Sequence, residues 1–216
     1  MEPTVGADLA RTWALVPIRG LESAKTRLGG DLDAEERRDL VEDLLRRTLR
    51  ATRDARLIVG TIVVTMDPDA AGIAQEHRAI GLVERAPGLN GAITAARSVA
   101  VARGATAVLI LPADLPAIDA DAVDAIVNAA TVVGQPRPSG VVVLVGDRHG
   151  RGTNALLVSP PRVIEPAFGP ASWDLHGAAA RASGATFVEL AGPLSLDVDT
   201  AEDLVDAEAA LGAIRG

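Results

Sequence analysis

Apolar residues along this chain fall into short continuous runs separated by segments of helical spacing. Trp13-Ala14-Leu15-Val16-Pro17-Ile18 reads as a buried strand. Beyond it, Leu40, Val41, Leu44, Leu45 and Leu49 recur at helical spacing behind Asp33, an N-cap candidate with Glu36 three places later. That pattern predicts a helix of about five turns ending near Arg53. Thr61-Ile62-Val63-Val64-Thr65 reads as the next strand, and Asp67-Pro68 opens a helix with a cap and a proline at its first position. Ile80-Gly81-Leu82-Val83-Glu84 and the runs at 106–111, 140–145, 155–158 and 186–190 complete the apolar set, with amphipathic segments at 90–103, 119–130, 172–182 and 200–211. Strands alternating with helices of this length indicate βαβ units, hence an α/β fold with a largely parallel sheet covered on both faces. The adjacent runs on either side of Gly150-Arg151-Gly152-Thr153 suggest a hairpin, which would make the sheet mixed.

Neither a repeat nor a Pro/Ser-rich linker interrupts the pattern, so residues 1–216 read as one domain. The 48% hydrophobic content is aliphatic, with two Trp, two Phe and no Tyr, leaving little aromatic surface on which bases would stack. A net charge of −8 adds to the case against nucleic acid as a partner. No Cys is present, which excludes disulfides, thiolate catalysis and a Cys zinc site. The segment 1–11 lacks an apolar signal region, and no run approaches the roughly 18 apolar residues of a membrane span. The expectation is a soluble, cytoplasmic protein with no membrane partner, its oligomeric state open and a homodimer one option.

Three aspartates stand where strands run out: Asp114 in Leu111-Pro112-Ala113-Asp114-Leu115-Pro116, and Asp197 and Asp199 in Leu196-Asp197-Val198-Asp199-Thr200. In an open α/β sheet the carboxyl ends of the strands share one rim where ligands bind, so these carboxylates are expected to converge there. Hard oxygen ligands of this kind suit Mg²⁺, which is held by one or two carboxylates together with substrate phosphates. The plainer readings are a turn aspartate between prolines for Asp114, and Asp199 or Thr200 capping the last helix. Of the 21 basic residues all but Lys25 are Arg. A lone lysine on the loop after the first strand can reach a triphosphate as a point charge. The loop is not a P-loop, since Ala24 and Arg19 occupy the positions that need Gly, and no Gly-x-Gly-x-x-Gly follows a strand. Asp197-Val198-Asp199-Thr200 misses the phosphatase signature Asp-x-Asp-x-Thr by one place. The Gly-rich, cationic segment 147–154 and the start of the helix after Phe168-Gly169-Pro170-Ala171-Ser172 are both candidate anion cradles. His77, His149 and His176 have no metal-ligand spacing and read as surface or structural residues.

Taken together, Ser23-Ala24-Lys25-Thr26-Arg27-Leu28, Gly88-Leu89-Asn90, Pro112-Ala113-Asp114-Leu115-Pro116, Gly152-Thr153-Asn154-Ala155-Leu156-Leu157, Phe168-Gly169-Pro170 with Ser172, and Leu196-Asp197-Val198-Asp199-Thr200 carry a resemblance over nearly the whole chain. The chain resembles the guanylyltransferases of coenzyme F-420 biosynthesis, which activate phosphoenolpyruvate or 2-phospho-L-lactate with GTP. The resemblance implies a three-layer, nucleotidyltransferase-like α/β fold of the nucleotide-diphospho-sugar transferase type. It also implies Mg²⁺ on Asp114, Asp197 and Asp199, catalytic roles for Lys25 and Asp114, and nucleotide contacts from Lys25, Arg27 and Asn90. Thr153, Gly169 and Ser172 would receive the acceptor's carboxylate. Arg19 stands where this family commonly has Lys, and Gly20 where Pro is common. A phosphate monoester acceptor has a second pKa of about 6, so it is already ionised and needs no general base. GMP transfer from GTP to phosphoenolpyruvate, with pyrophosphate released, is therefore the leading expectation, the choice over 2-phospholactate resting on family analogy. A molybdopterin or sugar-phosphate nucleotidyltransferase is a second enzyme reading, and a silent nucleotide-binding module is a third.

Overall fold

A computed structural model describes residues 8–22, 30, 32–85, 88–132, 139–198, 200, 202–203 and 205–206. Its strands are β1 (Thr12–Pro17), β2 (Ile58–Thr65), β3 (Ile80–Val83), β4 (Ala107–Ile110), β5 (Val141–Gly146), β6 (Thr153–Ser159) and β7 (Thr186–Glu189). The helices are α1 (Ala34–Asp54), α2 (Pro68–Glu76), α3 (Gly88–Ala102), α4 (Ala120–Val132) and α5 (Ser172–Ser183), with a 3-10 turn at Pro193–Ser195. The seven strands form one sheet in the order β3-β2-β1-β4-β6-β5-β7. Only β6 opposes its neighbours β4 and β5, so the sheet is mixed in the way the hairpin around Gly150 predicts.

Alternation within the strands builds the three layers. In β4, Val108 and Ile110 face the core shared with α3 and α5, while Leu109 and the following Leu111 face the α4 side. In β1, Leu15 joins the first of these cores and Val16 packs with Val41, Leu45 and Leu49 of α1 and with Ile73 of α2. Both strands are buried on both faces, which is why their sequences are continuous apolar runs. The predicted capping box at α1 is present: Asp33 accepts from the N–H groups of Glu35 and Glu36, and Glu36 accepts from the Asp33 N–H. Asp67 caps α2 ahead of Pro68, as its sequence requires. At Gly81 an added Cβ would lie 2.4 Å from the Ala71 carbonyl oxygen, so β3 and α2 approach closely only because of glycine.

Among the described residues no helix is long and apolar enough to cross a membrane. Most of the helix expected over 200–211 lies outside the described residues, although 202–203 and 205–206 are helical.

Candidate active site at the sheet rim

Because β6 runs against the rest of the sheet, its first residues lie on the same rim as the last residues of β1, β2, β3, β4 and β5. Thr153 and Asn154 are thus brought beside the turn after β4 that carries Asp114. That turn is tethered by Leu111 and Leu115, both fully buried, which leave Asp114 between them only partly covered. A second tether comes from the C-terminal segment: Val198, 1% exposed, packs with Leu32, Leu40 and Leu196, and its N–H donates to the Asp114 carbonyl at 3.1 Å. Asp197, the preceding residue, is therefore set next to Asp114. Asn154 completes the join, since its buried Nδ2 donates to the Leu194 carbonyl at 3.0 Å and lies 3.4 Å from Asp197 Oδ1.

Two of the three predicted metal ligands are thus brought together, and Asp199 lies outside the described residues. Among the described residues no group of three His, Cys, Asp or Glu is placed to hold a metal ion. Asp114 and Asp197 nevertheless bring hard carboxylate oxygens from two segments joined by a backbone hydrogen bond, a donor type that fits Mg²⁺ and does not fit a soft metal. Thr200 caps the C-terminal helical segment: its N–H and Oγ1 both donate to Asp203 Oδ2, and it accepts from the Asp203 N–H. Arg148, from the β5–β6 turn, pairs with Asp203 and with Asp206, pinning the hairpin to that segment.

Thr153 and Ser172, assigned to the acceptor by resemblance, meet directly, with Ser172 Oγ 3.0 Å from Thr153 Oγ1. Both are buried, at 7% and 1% exposure. Gly169 lies on the approach to α5 at φ +130°, a conformation that favours glycine, and an added Cβ there would meet nothing. Asn90 has a role the sequence reading did not give it. Its Nδ2 donates to the Phe168 carbonyl at 3.0 Å and its Oδ1 accepts from the Phe168 N–H at 2.8 Å, so its amide holds the loop before α5 in place.

One of the two expected anion cradles is corrected by the structure. In the segment 147–154, Asp147 itself accepts from the N–H groups of His149, Arg151 and Gly152. An internal carboxylate occupies the place an outside anion would take. The signal was an aspartate at the head of a Gly-rich turn, the pattern of an Asx turn. At the start of α5 the Ser172 N–H donates to the Gly169 carbonyl and the Trp173 N–H to the Arg151 carbonyl, so these two donors face protein oxygen. Of the two readings open for His176, surface or structural, the structure gives the second, since it is fully buried against Thr153. Its position four residues after Ser172, on the same helical face, was the available clue.

On the other side of the rim, a cavity of about 330 Å³ is lined by Pro17 ending β1 with Ile18 and Arg19 after it, Thr65 ending β2 with Met66 after it, Glu84 after β3, and Gly88 and Leu89 opening α3. Its size matches the lower end of ordinary small-molecule pockets. The apolar strand ends form its walls, and Arg19 and Glu84 are its charged groups. The loop of Lys25 and Arg27 lies outside the described residues, but the chain entering it is anchored: the Leu21 N–H donates to Asp67 Oδ2 at 2.9 Å.

Comparison with known proteins places this arrangement in context. The family model described as guanylyl transferase CofC like matches residues 12–208. A phosphoenolpyruvate guanylyltransferase of Sphaerobacter thermophilus is 42% identical over 194 residues, covering 89% of this chain and 90% of the relative. One from Conexibacter woesei is 41% identical over 199 residues, covering 89% and 85%. Among solved structures, the 4-diphosphocytidyl-2C-methyl-D-erythritol synthase of Anaerococcus prevotii superposes with a TM-score of 0.63 at 11% identity, over 95% of this chain and 98% of that one. The latter likeness concerns the fold alone and identifies it as nucleotidyltransferase-like. With a matched segment spanning nearly every element of the sheet and both halves of the rim, the chain belongs to the CofC-like guanylyl transferase family.

Proposed function

We propose that this protein transfers the GMP moiety of GTP to phosphoenolpyruvate and releases pyrophosphate. The observation that carries the reading is the continuous rim from Asp114 through Asp197 and Asn154 to Thr153 and Ser172, with a ligand-sized cavity beside it. It sets a carboxylate pair between two places where anions can be received. A phosphate oxygen of the acceptor attacks the α-phosphorus of GTP, the bond to the β-phosphate breaks, and the electron pair leaves with pyrophosphate. No proton has to be removed from the nucleophile, because a phosphate monoester is already ionised near neutral pH.

Bringing two anions together is the main electrostatic obstacle, and Asp114, Asp197 and Asp199 are the residues that would hold Mg²⁺ against it. When bound, the ion neutralises phosphate charge and fixes in-line geometry. Lys25 supplies a further positive charge for the triphosphate, and Thr153, Gly169 and Ser172 receive the acceptor carboxylate. Arg19 and Glu84, one donor and one acceptor at the cavity wall, complement guanine, which carries acceptors on one edge and donors on another. The names of relatives at 42% and 41% identity favour phosphoenolpyruvate over 2-phospholactate, and thereby a step of coenzyme F-420 biosynthesis.

A pyrophosphate-release screen tests the reading, with GTP, ATP, CTP and UTP each offered against phosphoenolpyruvate, 2-phospholactate and 3-phosphoglycerate. The expected result is release from GTP with phosphoenolpyruvate above every other pair. Faster release with another acceptor, or with another nucleotide, would replace the substrate assignment.

A further inference from the structure

His176 makes two contacts that together determine where its proton sits. Its Nε2 lies 2.9 Å from the Ala167 N–H and can only accept there. A neutral imidazole has one N–H, so the proton is on Nδ1, which faces Thr153 Oγ1 at 3.1 Å. Burial pushes its pKa down from 6.5 to about 4, keeping the ring neutral at the pH of ordinary enzyme work. The ring cannot easily turn: Phe168 packs edge-on against it at 5.0 Å between centroids, and Phe168 is itself held at both backbone atoms by Asn90.

The consequence falls on the two hydroxyls. Thr153 Oγ1 accepts from His176 Nδ1–H, and the bond between Thr153 and Ser172 uses one of the two hydroxyl protons. The other proton has no further acceptor among the described residues. It is left as a spare donor on this buried pair. With the proton on Nε2 instead, Thr153 would donate inward to Nδ1 and Ser172 would donate to Thr153, and a lone pair would face the ligand. An anion would then meet an acceptor where it needs a donor.

We infer that His176 is a positioning residue whose Nδ1–H, locked by the Ala167 N–H on the opposite ring nitrogen, orients the Thr153–Ser172 hydroxyl pair to donate to the acceptor's carboxylate. This rests on the acceptor site proposed above. It extends that reading from the residues that touch the substrate to the buried group that sets their polarity, a role like that of outer-shell partners that fix a ligand's tautomer.

Two substitutions separate donor from acceptor. In His176→Asn the side-chain amide can occupy the Nδ1 position and still donate to Thr153, whereas His176→Gln places its amide at the Nε2 position and can still accept from Ala167 without donating to Thr153. The KM for phosphoenolpyruvate should rise about tenfold or more in His176→Gln, the loss of a hydrogen bond to a charged group, and stay within about threefold in His176→Asn. The KM for GTP should stay within about twofold in both. Equal rises in the two variants, or GTP and phosphoenolpyruvate KM values rising together, would overturn the positioning role in favour of a packing one. Long-range ¹H–¹⁵N NMR of the unsubstituted protein provides a reading independent of variant folding: a protonated Nδ1 and bare Nε2 are expected, and a protonated Nε2 would overturn the inference. Turnover of GTP with phosphoenolpyruvate by the parental protein is measured alongside. Its absence would refute the substrate reading, while the tautomer result still judges the lock.

Discussion

Asp197 lies between Asn154, which reaches its Oδ1, and Val198, which ties the segment to Asp114. Substituting Asn for Asp197 or Asp199 keeps the size and removes a charge that would hold Mg²⁺. Turnover should then fall by roughly a hundredfold or more, as for other lost transition-state electrostatic contacts, with the melting temperature close to parental. Thr200→Ala is the contrasting case, because Thr200 caps through Asp203; it should cost about 1 kcal/mol of stability and leave turnover nearly intact. Asn variants that melt early yet turn over at the parental rate would make the carboxylates structural. Lys25→Ala should lose most activity and Lys25→Arg should restore part of it, because the guanidinium places its charge differently; parental turnover in Lys25→Ala would remove the lysine from the mechanism. His176 yields a pH prediction. Its folded pKa of about 4 lies below the ordinary 6.5, so between these values the unfolded chain binds a proton that the folded chain refuses. Stability is unaffected above about pH 6.5 and declines as pH falls towards 4, by up to roughly 3 kcal/mol. Denaturant titrations at pH 7 and 4.5 should show a smaller difference in His176→Asn than in the parental protein, and equal differences would count against it. Residues that bear charge at strand ends were legible in the sequence because their position alone suggests the rim. His176 and the Asp147 turn were not, since their roles depend on which polar atom meets which, and residue spacing does not encode that.

At the level of elements, α4 is fastened to the far end of the sheet by a buried carboxylate. Asp124, 3% exposed, accepts from the N–H groups of Leu57 and Arg56 and from Arg56 Nε just before β2 begins. Burial works against its charge, but these donors outweigh it and hold the carboxyl below its usual range. Asp124→Ala should strand two backbone donors and cost about 2–3 kcal/mol, with KM values unchanged because the site is on the opposite rim. A change in KM without loss of stability would show the two ends to be coupled. Element types followed the apolar pattern closely, since α1 with its box, α2 with its proline and the β5–β6 hairpin all carry local signals. Boundaries shifted where tertiary contacts override them. β2 starts at Ile58, three residues earlier than expected, because Gly60 accommodates the Trp13 ring on the neighbouring strand, and an added Cβ would come within 2.7 Å of it. β6 starts at Thr153 because Thr153 and Asn154 satisfy their polar groups within the site, so two polar residues that resemble loop belong to a buried strand.

Across the whole molecule, the antiparallel β6 gives the fold its function-bearing asymmetry, carrying Thr153 and Asn154 to the rim that the parallel strands reach with their ends. The cavity at the ends of β1 to β3 and the Thr153–Ser172 hydroxyls then lie on either side of the turn that carries Asp114, which is the layout the proposed transfer between two phosphate compounds needs. Exhaustive chelation should abolish turnover, and Mg²⁺ or Mn²⁺ should restore it, given oxygen donors and no thiolate; full activity in a chelator would remove the metal from the reaction. The most direct measurement of the transfer itself is ³¹P NMR of the purified protein with GTP, phosphoenolpyruvate and Mg²⁺. Consumption of both substrates should accompany equimolar pyrophosphate and a new diphosphate diester joining the guanosine and enolpyruvoyl groups. Intact phosphoenolpyruvate, with GTP either unchanged or merely hydrolysed, would contradict guanylyl transfer to this acceptor.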